Sequence, residues 1–148
     1  MLNPRPLKQS HLQVTTDLNA VAEVLQWFEK LILPQLPDRF WRACQLALVE
    51  GFTNAVRHAH RDLPKTTPIE LELKVFPQSM EMRIWDRGKP FDLLNKLQSL
   101  LGEQDKDPFR ENGRGLIFMS KSTDELSYER LSDNRNCLFM RKSVEGSE

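Results

Sequence analysis

A chain of 148 residues with 39% hydrophobic and 28% charged residues has an ordinary globular composition, long enough for one core and short for two. Lys+Arg and Asp+Glu balance at 21 each, so the formal net charge is zero, which argues against nucleic-acid binding by bulk electrostatics and leaves at most a local basic patch. Cys44 and Cys137 lack companions at metal-ligand spacing, "MLNPRPLKQSHLQV" has no apolar leader segment, and no stretch nears a membrane span, so a cytoplasmic protein with reduced thiols is expected.

The segment "LKQSHLQVTT" (residues 7–16) alternates enough for an edge strand. Asp17 reads as the N-cap of a helix over "LNAVAEVLQWFEKLI", where Leu18, Val21, Leu25, Phe28 and Ile32 recur at helical spacing. Pro34 and Pro37 end that helix. Asp38 reads as the cap of a second one, running through "RFWRACQLALVEGFTNAVRHAH" to near Pro64, with Phe40, Ala43, Leu46 or Ala47, and Val49 or Ala55 on its apolar face. The period then changes to two. "IELELKVF" (69–76) and "SMEMRIWD" (79–86) alternate, and Pro77-Gln78 between them makes an antiparallel hairpin with one solvated face.

Phe91 to Leu101 reads as a short helix, and "GEQDKDPFRENGRG" (102–115) as a polar, turn-rich loop. "LIFMSKS" reads as another short helix, followed by a second hairpin of "DELSYERL" and "NCLFMRKSV" around Ser132 to Arg135. Helices on one face of a mixed, mostly antiparallel sheet give an α+β fold, a two-layer sandwich, with the whole chain expected to form a single domain.

Three segments carry candidate chemistry. In "LVEGFTNAVRHAHR" the residues Glu50, Asn54 and His58 recur every four positions, which lines an acid, an amide and an imidazole along one helical stripe. In "IWDRGKPFD", Asp86 falls where an apolar strand stops and Gly88 follows, so a carboxylate acceptor stands beside backbone that a flat ring can approach. In "NGRGLIFM", Gly113 and Gly115 flank Arg114 just before an apolar run, and glycines at a helix start free backbone N–H groups for an anion. Each taken alone reads better as an exposed helix face, an Asp-x-Gly turn and a linker.

Their order is more telling than any one of them. An Asn-bearing helix, a strand ending in Asp-x-Gly, a loose polar loop and Gly-x-Gly-Leu at a helix start together resemble the nucleotide-binding domain of the GHKL (histidine-kinase-like) ATPase superfamily. The close resemblance is to bacterial anti-sigma factor serine kinases of the RsbW and SpoIIAB type. "ALVEGFTNAVRHAH" resembles the family's N box, "WDRGKPFD" its first glycine box and "GRGLIFM" its second.

The resemblance implies ATP and Mg2+ as cofactors. Asn54 would ligate the metal through its amide oxygen, and Glu50 would be the general base toward an attacking hydroxyl. Arg57 and His58 would reach phosphate. Asp86 would accept from the adenine amino group, which a guanine keto oxygen cannot replace, and Gly88 would admit the ring. Residues 102–113 would form the lid, and Gly113, Arg114, Gly115 and Leu116 the phosphate-side box. Pro90 and Ile117 depart from the broad superfamily, where glycines stand, and agree with the anti-sigma branch.

The implied partners are a sigma factor and a STAS-domain anti-anti-sigma factor phosphorylated on Ser or Thr. No direct nucleic-acid or membrane contact is expected, and the resemblance suggests a homodimer. The alternative is a non-catalytic nucleotide-binding module that acts by sequestration alone.

Overall fold

The computed structural model describes residues 5–102 and 114–144. Five strands, β1 (Lys8–Thr15), β2 (Pro68–Phe76), β3 (Ser79–Asp86), β4 (Glu125–Arg130) and β5 (Asn136–Ser143), form one sheet in the order β1-β2-β3-β5-β4. Every pairing is antiparallel, so the described sheet is wholly antiparallel where a mixed, mostly antiparallel one was expected. Period-2 alternation decides its faces. Ile69, Leu71, Leu73 and Val75 of β2 and Met80, Met82 and Ile84 of β3 are sealed from solvent. Their neighbours form the opposite face, where Glu72 is covered by Arg83 at 3.2 Å and His11 at 2.8 Å. Pro77-Gln78 closes the first hairpin with Phe76 opposite Ser79, and Asn134 takes a φ of 65° in the second, a left-handed turn that Asn tolerates.

Against the apolar face lie α1 (Val21–Glu29), α2 (Asp38–Asn54), α3 (Leu93–Gly102) and α4 (Arg114–Ser122). Asp17 caps the chain's entry into α1, its carboxylate accepting the Asn19 N–H at 2.9 Å, but the first turn (Leu18–Ala20) is a 3-10 turn. Tighter winding there shifts the register of everything after it. The buried stripe is therefore Val24, Trp27, Phe28 and Leu31, while Leu18 is exposed and Leu25 only half-buried. Trp27 is further fixed by its Nε1–H donating to Ser10 Oγ of β1 at 2.9 Å.

Pro37, not Asp38, stands at the N-cap of α2; Asp38 lies in the first turn, where a carboxylate suits the helix dipole. The buried face of α2 is Phe40, Trp41, Cys44, Ala47, Leu48, Gly51 and Phe52, so Ala47 is core and Leu46 faces out. Gly51 brings the helix down onto the sheet. A Cβ there would meet Ile84 Cδ1 at 2.7 Å and Leu138 Cδ2 at 3.0 Å.

The α-helix does not run on toward Pro64. It ends at Asn54 and passes into a π-helical turn, Ala55–Ala59, closed by the His60 N–H on the Ala55 carbonyl at 2.8 Å. Leu93, Leu97 and Leu100 bury one face of α3, and Leu116 and Met119 that of α4. Of the expected lid, Gly102 ends α3 and residues 103–113 lie outside the described residues. Among the described residues no helix is long and apolar enough to cross a membrane.

Candidate functional site

The end of β3 places Asp86 at 3% exposure. Its Oδ1 accepts from the Gly88 N–H at 2.9 Å and from Asn136 Nδ2 at 2.8 Å; its Oδ2 accepts from the Tyr128 hydroxyl at 2.6 Å. Asn136 is the β5 residue directly across from Asp86, and Arg130 of β4 is across from Asn136. Arg130 and Asn136 both donate to the Gly88 carbonyl, at 2.9 and 3.0 Å. A buried carboxylate is tolerable only when donors surround it, and this one is surrounded by uncharged ones. Burial and the bond to Asp86 push the Tyr128 phenol well above its usual pKa, so its proton stays committed to the carboxylate. Phe91, half-exposed, meets the Tyr128 ring edge-on at 6.2 Å.

Gly88 is pressed against the end of the π turn. A Cβ there would stand 2.5 Å from the Ala59 carbonyl oxygen. The next residue of the helix end, His60, reaches the same strand end, its Nε2 lying 2.8 Å from the Arg87 backbone N–H. Earlier on the same helix, Gly115 in the first turn of α4 packs on the Glu50 carboxylate, where an added Cβ would overlap Oε2 and stand 3.1 Å from Cδ. Asn54 is half-buried one helical turn, about 6 Å of rise, beyond Glu50. It therefore lies between the Glu50–Gly115 contact and the Ala59–Gly88 contact.

Arg57 and His58 are exposed on the π turn. Partial desolvation lowers the His58 pKa, and the cations Arg61, Arg57 and Lys96 lower it further. That group of positive charges around His58 suits an anion. Because the turn is π-helical, His58 does not continue the Glu50–Asn54 stripe at α-helical spacing. Leu116 is buried in the core, so its side chain anchors α4 and offers no polar contact. Arg114 is exposed at the start of α4, and Gly113 lies outside the described residues.

The donor set fits a nucleotide better than a free metal. Among the described residues no group of three His, Cys, Asp or Glu side chains could hold an ion. A Mg2+ there would take Asn54 and the oxygens of a bound phosphate chain, the usual mode for an ion that gives up water reluctantly. Both cysteines are free, Cys44 buried with its thiol pushed up to about 12 and Cys137 to about 11, chiefly by desolvation, so neither is a poised nucleophile.

Tyr128, Asn136 and Arg130 escaped the sequence reading. Their signal is positional, since they share the inner face of strands that reach Asp86 only once β5 has inserted between β3 and β4.

Comparison with known proteins bears on the family and the fold. Residues 14–142 match the histidine kinase-like ATPase domain. The serine-protein kinase RsbW of Bacillus licheniformis is 34% identical over 86 residues, which are 55% of this chain and 53% of that protein. The serine-protein kinase RsbW of Staphylococcus aureus is 30% identical over 87 residues, 56% of this chain and 54% of that protein. The chain thus spans about half the length of the curated relatives it matches. A crystal structure of the RsbU and RsbW domains of a Mycobacterium tuberculosis protein aligns with a TM-score of 0.64 at 13% identity, covering 94% of this chain and 33% of that one, a likeness of fold.

Proposed function

This chain belongs to the histidine kinase-like ATPase domain family, and on that premise we propose that it is an ATP-dependent protein serine/threonine kinase acting by partner switching. In this reading it holds a sigma factor and phosphorylates a Ser or Thr of a STAS-type anti-anti-sigma protein in the cytoplasm. Its curated relatives are named serine-protein kinases.

The observation that carries the proposal is the convergence on one helix. Glu50 touches the first turn of α4, and Ala59, nine residues on, touches Gly88 beside the buried Asp86. Two glycines thus stand where separate segments close on this helix, before and after Asn54 along the chain. Asp86 offers acceptors to an amino group on a base, and the half-exposed Phe91 adds an aromatic edge nearby. Phosphates would lie toward Asn54, Arg57 and His58 and the backbone N–H groups at the start of α4. Mg2+ held by Asn54 and phosphate oxygens would neutralise charge in the transfer. Glu50, at the α4 end, would take the proton of the incoming hydroxyl, and positioning would supply most of the acceleration.

Incubation with STAS-domain proteins of the same genome and γ-labelled ATP tests this reading. Label on a partner serine or threonine is the expected result. ATP binding without transfer to any such partner would favour the sequestering module, and no ATP binding at all would end the proposal.

A further inference from the structure

His60 takes no part in the chemistry above, yet it is 2% exposed and bonded through both ring nitrogens. Its surroundings fix which nitrogen carries the proton. Thr16 Oγ1 donates its only proton to the Thr67 carbonyl, 2.6 Å away. The 2.8 Å contact between Thr16 Oγ1 and His60 Nδ1 therefore needs the proton on Nδ1, which donates to the hydroxyl oxygen. Nε2 is then a bare acceptor, and the Arg87 backbone N–H donates to it at 2.8 Å. The chain of bonds runs from Thr16, just past β1, through the helix end to the residue between Asp86 and Gly88.

We propose that His60 is a positioning residue for nucleotide binding: as the neutral Nδ1–H tautomer it clamps the Asp86–Gly88 segment onto the end of the Asn54 helix. The inference rests on the nucleotide reading given above. Its logic is that the segment has few other ties to that helix. Gly88 only abuts Ala59 there, and the bonds of Asp86 lead to β4 and β5. His60 alone among the described side chains joins β3's end to the helix by a hydrogen bond that the tautomer makes directional. Loss of that bond lets the carboxylate move with the strand, away from the phosphate-side groups on the helix.

The test combines tautomer spectroscopy with titration of Mg-ATP at pH 8. A long-range proton–nitrogen spectrum of the wild-type chain should report His60 as the Nδ1–H tautomer. His60→Phe, which removes the acceptor, should weaken ATP by about fivefold or more, and His60→Gln, which keeps a neutral acceptor and a donor, should return it to within about twofold of wild type. Thr16→Val, nearly isosteric, frees Nδ1 from its acceptor and should weaken ATP in the same direction while altering the His60 tautomer balance. An Nε2–H tautomer in the wild-type chain overturns the inference. So does unchanged ATP affinity in His60→Phe or, should that variant not fold, in Thr16→Val. A wild-type chain that does not bind ATP overturns the nucleotide reading and the inference together; binding that ignores His60 overturns the inference alone.

Discussion

Gly88→Ala puts the docking of the strand end to a quantitative trial. The added Cβ would lie 2.5 Å from the Ala59 oxygen, 3.0 Å from its carbonyl carbon and 3.1 Å from its Cα. Comfortable contacts begin near about 3.5 Å, so the strand end must retreat by about 1 Å. All three obstructing atoms are backbone, and no side chain can swing aside. Overpacking of this kind costs about 1–3 kcal/mol, or about 3–9 °C of melting temperature at this chain length. Wild type should gain about 2.7 kcal/mol from Mg-ATP at a hundredfold excess over its dissociation constant. In Gly88→Ala that gain should largely vanish. Gly115→Ala is the control, because the group in the way is the far end of the flexible Glu50 side chain. Without ATP it should melt within about 1 °C of wild type, while transfer falls with the displaced carboxylate. Thermal unfolding with and without Mg-ATP reads both variants. A Gly88→Ala protein with wild-type melting and the full gain from ATP would refute the reasoning.

Glu50→Ala should abolish label transfer while changing ATP affinity by no more than about threefold; undiminished transfer would remove Glu50 from the role of base. Tyr128→Phe leaves the buried Asp86 Oδ2 without its donor, and should lower unfolding free energy in urea by about 1–3 kcal/mol, with a shift under about 0.5 counting against the bond. Burial is the main cause lowering the pKa of His60, as it is for His58, so the folded chain holds these protons less tightly than the unfolded one, whose imidazoles titrate near 6.5. Their contribution is fully present above that pH and declines as pH falls below it toward the folded pKa. Urea midpoints should therefore drop on acidification, and drop less in His60→Gln; equal declines in the two proteins would deny His60 any share.

The fold was largely legible because its sheet obeys a strict period of two. Leu71, Leu73, Met80 and Met82 could face only one way, and they are fully buried. Helical registers were harder to read. Nothing between Asp17 and Val21 announces a 3-10 turn, and that turn moved the α1 stripe from Leu25 to Val24 and Trp27. Nothing in "NAVRHAH" announces a π turn either, because its closure goes with the anchoring of His60 by Thr16 and Arg87, which are remote in sequence. The site divides in the same way. Asp86 and Gly88 could be found as a carboxylate and a glycine at a strand end, and Glu50 and Asn54 as residues one turn apart. The donors that hold Asp86 could not, since Tyr128 and Asn136 come from strands whose order in the sheet differs from their order in the chain.

The turn between Asn54 and His60 holds one residue more than α-helical closure would. Its length, more than its composition, is therefore what the neighbouring strand depends on. Arg57 and His58 face solvent there and could be exchanged without disturbing the frame. Inserting a further residue within Ala55–Ala59 would exceed π-helical closure, turn the segment by about 100° and bring Ala59 to the place where His60 now stands beside Thr16. An alanine side chain has no lone pair, and the Arg87 amide would lose the acceptor that His60 Nε2 gives it.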